Sequence, residues 1–241
     1  MNSLHAQRTA VPAIGRKLLE VIVTSRQEAI EAERYGADRL EVVRSLEEGG
    51  LTPEINVASA IAEAVSIPVR VMLRERDSMA IANKEELGRL LEAAQELAAL
   101  PIDGLVLGFV AGSAIDIRSL GELLAAVPRC PVTFHRAFES VGQPPAAIQA
   151  LKQFRQIDRI LVRLGDDMKA PRMGDLVQWQ RLAAPELQFV VGLGLRRENI
   201  SRLREQPELQ EVHVGRLLRE PETVGGRLSR AKFIELKSAL G

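Results

Sequence analysis

The sequence predicts an α/β fold, a single-domain (β/α)8 TIM barrel. Short runs rich in β-branched residues recur along the chain, and an amphipathic helical pattern follows each of them. Eight such repeats fit within 241 residues, which is a usual length for this barrel. No Pro/Gly-rich linker divides the repeats, so residues 18–241 are predicted to form one domain and residues 1–17 a flexible N-terminal extension.

The eight predicted strands are the apolar runs themselves. They occupy residues 18–25, 37–43, 68–74, 104–110, 131–138, 159–165, 187–194 and 211–218. An open, doubly wound sheet is the alternative arrangement of such units. Its dinucleotide-binding form has a glycine-rich turn after the first strand, whereas this chain has VTSRQEA there, so the closed barrel is favoured.

Helix starts agree with this register. Ser25 and Asn83 each precede a glutamate by three residues, the spacing of a capping box, and Gly36 is well placed to end the first helix in the left-handed conformation. Thr52 and Pro53 predict another start, with proline at the first helical position.

The composition limits the partners. Lys plus Arg and Asp plus Glu both number 32, so no net charge attracts nucleic acid or an anionic membrane. Charges interrupt every apolar run, and no segment reaches the length of a membrane span. The single cysteine, Cys130, excludes an intramolecular disulfide and favours a reducing compartment, the cytoplasm. A small molecule or a protein partner remains, and a homodimer is compatible with the sequence.

Several charged residues lie on predicted barrel strands, where burial is unfavourable unless the charges are paired. Glu20 is on the first strand, and Arg39 and Glu41 are two residues apart on the second, hence on one face. These three residues could form a buried salt-bridge layer without chemistry. Alternatively, the glutamates could orient a catalytic histidine.

A second polar group lies near the carboxyl ends of strands, where the loops of a TIM barrel build the active site. Arg74, Arg76 and Arg136 are suited to bind a carboxylate or phosphate, although Arg76 could equally be a surface residue. Alternation turns Thr133 and His135 toward the barrel axis. His135 is a candidate catalytic acid or base, oriented by Glu41 or Glu20. The competing interpretation is a neutral core histidine with a backbone partner.

The last two strands end in glycines. Gly192 and Gly194 could expose backbone N–H groups to a phosphate, with Arg196 beside them, and Gly215 ends the eighth strand in a matching place beyond His213. The glycine pair could also be a turn that needs positive φ. No zinc-ligand spacing, P-loop or nucleophile elbow is present in the sequence, so no metal ligands are predicted.

Six short segments form a recognisable pattern. They are LEV (19–21), GADRLEV (36–42), EGGLTP (48–53), VTFHRAFE (132–139), GLGLRREN (192–199) and EVH (211–213). In this order and spacing they resemble the CutC family, the copper homeostasis proteins. The resemblance implies a cytoplasmic TIM barrel linked to copper handling. By position it implies a cleft lined by Glu20, Arg39, Glu41, Arg74, Arg76, His135, Arg136, Arg196 and His213.

The sequence departs from that family at the positions proposed to hold copper. Family members commonly have cysteine where this chain has Ile22 and Val43. Copper(I) prefers sulfur ligands, so the resemblance implies copper while the residues present offer no such site. The turn after the third strand, RERDSMA, and the end of the sixth, VRLG, also differ from the family's usual RPRGGDF and Thr-Ser-Gly.

Three functions are therefore open. The first is a CutC-like copper homeostasis protein whose Arg/His/Glu cleft binds a small anionic molecule. The second is a lyase or isomerase that acts on a phosphorylated or carboxylated molecule without copper, with His135 as acid or base. The third is a non-catalytic binding protein.

Overall fold

The computed structural model describes residues 16–164, 171–192 and 197–241. It contains eight parallel strands that close into one barrel, in which sequence neighbours pair and the last strand pairs with the first. They are β1 (Leu18–Val23), β2 (Arg39–Val42), β3 (Val69–Met72), β4 (Gly104–Leu107), β5 (Val132–Phe134), β6 (Ile157–Arg163), β7 (Gln188–Gly192) and β8 (Glu211–Val214). The prediction of a (β/α)8 barrel is confirmed.

A helix follows each strand and covers the outside of the barrel. The helices are α1 (Arg26–Tyr35), α2 (Ile55–Ala62), α3 (Lys84–Ala98), α4 (Ile117–Ala126), α5 (Pro144–Leu151), α6 (Met173–Ala183), α7 (Arg197–Arg204) and α8 (Arg230–Leu240). In the part of the chain that the structure describes, none of these helices is long and apolar enough to cross a membrane.

The predicted helix caps of α1 and α3 are confirmed. The side chain of Ser25 accepts a hydrogen bond from the N–H of Glu28, and Asn83 accepts one from the N–H of Glu86. Gly36 ends α1 at φ 98°, a conformation that glycine adopts without the steric cost of a Cβ.

The predicted start of α2 is wrong. Thr52 is held beside β3 instead, because its N–H donates to the carbonyl oxygen of Arg74 and its hydroxyl accepts from the Arg74 N–H. The chain therefore remains extended past Pro53, and α2 begins at Ile55 with Glu54 as its N-cap.

Most strands end a few residues earlier than predicted, and short 3-10 helices follow β2, β5 and β8. β5 stops at Phe134 and is followed by a 3-10 helix over Arg136–Ser140. At the other end of the chain, Lys17 already belongs to the folded domain, since its Nζ donates to backbone carbonyl groups of the loop before β8. Residues 1–15 of the predicted extension lie outside the described residues.

A network of buried ion pairs fills the amino-terminal half of the barrel. Arg39 donates to Glu20 and, over 2.6 Å, to Glu211, and Arg70 donates to Asp158 over 2.7 Å. Such charges are tolerated in a barrel interior only when they are paired. The predicted pairing of Glu20 with Arg39 is thus observed, and the network forms a polar floor beneath the open end of the barrel.

Candidate functional site

The carboxyl ends of the strands surround a cavity of about 500 Å³. The ionisable side chains that reach its wall from the strands and the turns after them include Glu41, Arg74, His135, Arg136 and His213. TIM barrels build their active sites at this end, and the volume suits a small molecule. All five residues were predicted from the sequence as site residues.

Strand alternation explains why these side chains face inward. Glu41 lies two residues after Arg39 on β2, and His213 lies two residues after Glu211 on β8. Residues two apart share one face of a strand. The inward-facing residues of β2 and β8 therefore belong to the ion-pair floor first and, two residues later, to the cleft.

Glu20, Glu41 and His213 form a buried cluster, called here the carboxylate–imidazole cluster. Nδ1 of His213 lies 2.8 Å from Oε1 of Glu20 and 3.1 Å from Oε2 of Glu41. The prediction that these glutamates orient His135 is wrong. Barrel closure makes β8 the neighbour of β1, which puts His213 directly opposite Glu20, whereas His135 follows β5.

The cluster has unusual protonation properties. Burial raises the pKa of Glu41 to about 7, and the nearby charge of Glu20 adds to this while His213 opposes it. Burial disfavours the charged form of Glu20 too, but Arg39 and His213 together lower its pKa. For His213, burial is outweighed by the two glutamates, so its pKa is raised. Glu41 therefore has a pKa at which it can change protonation near neutral pH.

The surroundings of His135 differ from those predicted. Burial, together with the charges of Arg74 and Arg136, lowers its pKa to about 3, so its ring is neutral at pH 7. Nδ1 accepts a hydrogen bond from the N–H of Ala137, which leaves the single ring proton on Nε2. His135 is thus a neutral hydrogen-bond donor at the cleft, and the backbone-partner interpretation describes its Nδ1.

Three buried donor atoms in the cleft residues have no hydrogen-bond partner within the described chain. They are Nε of Arg74, Nε of Arg136 and Nε2 of His135. Buried polar groups are nearly always hydrogen-bonded, and leaving one unpaired costs about 1–3 kcal/mol. Three such donors around one cavity indicate a ligand that supplies the missing acceptors.

Two predicted arginines lie away from the cleft. The side chain of Arg76 is 46% exposed and pairs with Glu86 at 3.1 Å, so the surface interpretation is correct for it. Arg39 lies in the floor, where Glu20 and Glu211 hold it.

The glycines that were predicted to bind phosphate differ in their surroundings. Gly192 serves strand packing, because a Cβ there would lie 2.3 Å from the carbonyl oxygen of His213. Gly215 does line the cleft. Gly194 and Arg196 lie outside the described residues, so their anion-binding role stays a prediction.

Gly192→Ala is expected to lower the free energy of unfolding by about 1–3 kcal/mol, since a methyl group would push β7 and β8 apart. Urea denaturation measures this effect. Gly88→Ala in α3 is the matched control: no atom lies within 4 Å of the added methyl group, so it should increase stability by roughly 0.5–1 kcal/mol. Equal stability of the wild type and Gly192→Ala would refute the packing role.

The residues do not fit a copper(I) site. Ile22 and Val43 line the cleft where the family resemblance implies thiols, and Met72 is the one sulfur-bearing residue among the described cleft residues. Cys130 lies at the amino-terminal end of β5, where burial raises the pKa of its thiol to about 11. A thiol with so high a pKa is a poor metal ligand.

The carboxylate–imidazole cluster has the spacing of a metal site but already contains counter-charges. Its donor atoms lie within 4.8 Å of one another, a spacing that a hard divalent cation could bridge. Arg39 and His213 both contact Glu20. Arg39 offsets the charge of that carboxylate, and the raised pKa of His213 favours the protonated ring beside it.

Sequence reasoning missed several partners of these residues. Arg74 donates to Asp77 over 3.2 Å and to the carbonyl oxygen of Glu48, and both acidic residues belong to loops without a periodic pattern. Arg70 and Glu211 could have been found, because each lies two residues before an inward-facing strand residue.

Comparisons with known proteins agree with this architecture. A sequence model described as CutC family matches residues 17–217. A human protein named copper homeostasis protein cutC homolog is 34% identical over 198 residues, 81% of this chain and 72% of its own. A Mesorhizobium japonicum protein named family protein CutC is 31% identical over 211 residues, 86% of this chain and 80% of its own.

Solved structures support the fold. A CutC crystal structure from Streptococcus agalactiae has a TM-score of 0.75 at 24% identity and covers 83% of this chain and 98% of its own. Phosphoribosylanthranilate isomerase from Thermotoga maritima has a TM-score of 0.62 at 12% identity over 93% of this chain and 98% of its own. At these identities the likeness concerns the barrel alone.

Proposed function

The chain belongs to the CutC family, and on this premise we propose that it binds a small carboxylate or phosphate in the cleft and transfers a proton at that molecule. The reaction class is a lyase or isomerase step, as the sequence suggested, but with Glu41 rather than His135 exchanging the proton. A cytoplasmic location, inferred from the single cysteine, is part of the proposal. No step involves copper, because the cleft offers isoleucine and valine in place of thiols.

The main support for an anion site is the set of buried donor atoms that have no hydrogen-bond partner in the described chain. Two guanidinium Nε–H groups and the Nε2–H of His135 are three donors suited to one anionic group. Arg74 and Arg136 provide the positive charge, and neutral His135 donates a directional hydrogen bond without adding charge. A carboxylate or phosphate is the simplest ligand group that pairs with all three.

Glu41 supports the proton-transfer part. Its carboxyl group lines the cavity and has a pKa of about 7, which is the range in which general acid–base catalysis is most effective at cellular pH. When ionised, Glu41 can accept a proton from the ligand. The same proton can return to another ligand atom, which is isomerisation, or remain while a leaving group departs, which is elimination. His213 and Glu20 hold a second proton beside it.

The anion site is tested by Arg74→Met, titrated with inorganic phosphate and with acetate by isothermal calorimetry. Binding is expected to weaken by about 10- to 100-fold, because a hydrogen bond from a charged donor contributes roughly 1.5–3 kcal/mol. Arg136, which is 32% exposed, provides a second variant, Arg136→Met, with less risk to folding.

Arg76→Met is the matched control, since Arg76 lies outside the cleft and pairs with Glu86. It should bind both anions as the wild type does. If wild-type protein binds neither anion, or if all three variants bind equally well, the proposed anion site is wrong.

A further inference from the structure

We infer that the ligand carries a hydrocarbon body beside its anionic group, and that the cleft binds this body on an apolar strip formed by Ile22, Val43, Met72 and Val106. This inference rests on the proposed function and specifies the class of molecule. The expected ligand is an aliphatic carboxylate or phosphate, as opposed to a compact, fully polar anion.

The apolar strip is separate from the main hydrophobic core. Its four side chains pack with one another, and Leu46 packs against them from the turn after β2. The main core lies between the barrel and the outer helices and contains the alternate residues of the same strands, such as Val21 and Val42. The strip therefore belongs to the inside of the barrel.

The strip is continuous because its residues come from adjacent strands. Ile22 lies on β1, Met72 on β3 and Val106 on β4, and Val43 directly follows β2. These four strands are neighbours around the barrel. Met72 is in register with Val106, and Val43 and Met72 each directly follow the paired residues Val42 and Val71. Ile22 pairs with Glu41, one inward-facing position before Val43. The strip therefore spans four neighbouring strands, with Ile22 slightly deeper than the other three residues.

The strip faces the same cavity as the anion-binding residues. Ile22, Val43 and Met72 all line it, and Met72 lies two residues before Arg74, hence on the same face. Leu46 and Leu161 also line the cavity. A ligand whose anionic group reaches Arg74 can therefore place its remaining atoms against these side chains.

The dimensions of the cavity leave space for such a body. Its 500 Å³ lies within the range of pockets that hold drug-sized molecules and exceeds the needs of a lone inorganic anion. Gly215 contributes to this shape, because a Cβ at that position would lie 2.9 Å from Cδ1 of Ile22. Glycine there lets the isoleucine side chain lie flat along the wall.

The test is a series of straight-chain carboxylates from acetate to octanoate, measured by calorimetry on the full chain. Burying one methylene group on an apolar surface increases affinity by about fourfold. Affinity is therefore expected to rise by about that factor per carbon through the first few members. Alkylammonium ions of the same lengths serve as ligand controls and should not bind, because their charge opposes Arg74 and Arg136.

Two variants distinguish the binding of the ligand's anionic group from the binding of its hydrocarbon chain. Val43→Thr replaces one methyl group by a hydroxyl group at nearly the same shape, so it should reduce the gain per carbon and weaken octanoate binding more than acetate binding. Arg136→Met should weaken every member by one common factor and leave the gain per carbon intact. Leu46→Gln, at a half-buried position, repeats the first test should Val43→Thr fail to fold.

The possible failures are distinguishable. Carboxylates that bind with the same affinity at every length would overturn the apolar strip and leave the anion site standing. A gain per carbon that Val43→Thr and Leu46→Gln do not change would also overturn it. Failure of every carboxylate to bind would overturn the proposed function itself.

Discussion

Arg39→Met is expected to lower the free energy of unfolding by about 3–5 kcal/mol. The guanidinium group of Arg39 is 2% exposed and contacts both Glu20 and Glu211. Its removal leaves two buried carboxylates without this counterion, and a buried charge that loses its partner is strongly destabilising. Urea denaturation at pH 7 measures the change.

The matched control is a surface ion pair of the same type. Arg118 is 85% exposed and pairs with Glu122 one helical turn away, so Arg118→Met should change stability by no more than about 0.5 kcal/mol. Adding Glu20→Gln to Arg39→Met should recover part of the loss, because one stranded charge is then neutral. If Arg39→Met and Arg118→Met lower the free energy of unfolding by similar amounts, Arg39 does not stabilise the ion-pair floor as expected.

The barrel could be predicted because its signals are local. Alternation within strands, the caps at Ser25 and Asn83 and the helix end at Gly36 each depend on a few neighbouring residues. Alternation placed Arg39 and Glu41 on one face of their strand and His135 toward the barrel axis, and both Glu41 and His135 line the cavity. Arg74 was placed by its position near the carboxyl end of a strand. The face that a strand residue occupies depends only on its position within its own strand.

The partners of those residues could not be predicted, because they depend on closure of the barrel. Glu20 and His213 are 193 residues apart and meet only because β8 pairs with β1. From the sequence alone, the position of His135 near the end of its strand favours it for the acid–base role. The packing of Gly192 also depends on closure, since a Cβ there would meet the backbone of β8.

The burial of Glu41 makes folding stability depend on pH. Its pKa is 4.5 in an exposed state and about 7 in the folded protein, so the folded state binds more protons than the unfolded state between these values. Stability therefore falls as pH rises from about 4.5 to 7, by up to about 3 kcal/mol. His213 acts in the same direction: its pKa is raised, so its stabilisation is present below the unfolded pKa and is lost as pH rises through the folded one.

Glu41→Gln is accordingly expected to match the wild type in stability at pH 4 and to exceed it by up to about 3 kcal/mol at pH 8, measured by urea denaturation. The same change removes the proton acceptor, so exchange of the C3 hydrogens of 2-oxobutyrate in D2O, followed by proton NMR, should slow by about 10²- to 10⁴-fold. Glu47→Gln, an exposed change at the cleft rim, is the control and should alter neither property. A Glu41→Gln variant less stable than the wild type at pH 8 would contradict the raised pKa. If Glu41→Gln increases stability at pH 8 but leaves the hydrogen exchange of 2-oxobutyrate unchanged, Glu41 is buried as described but does not transfer the proton. That result would favour the non-catalytic binding protein.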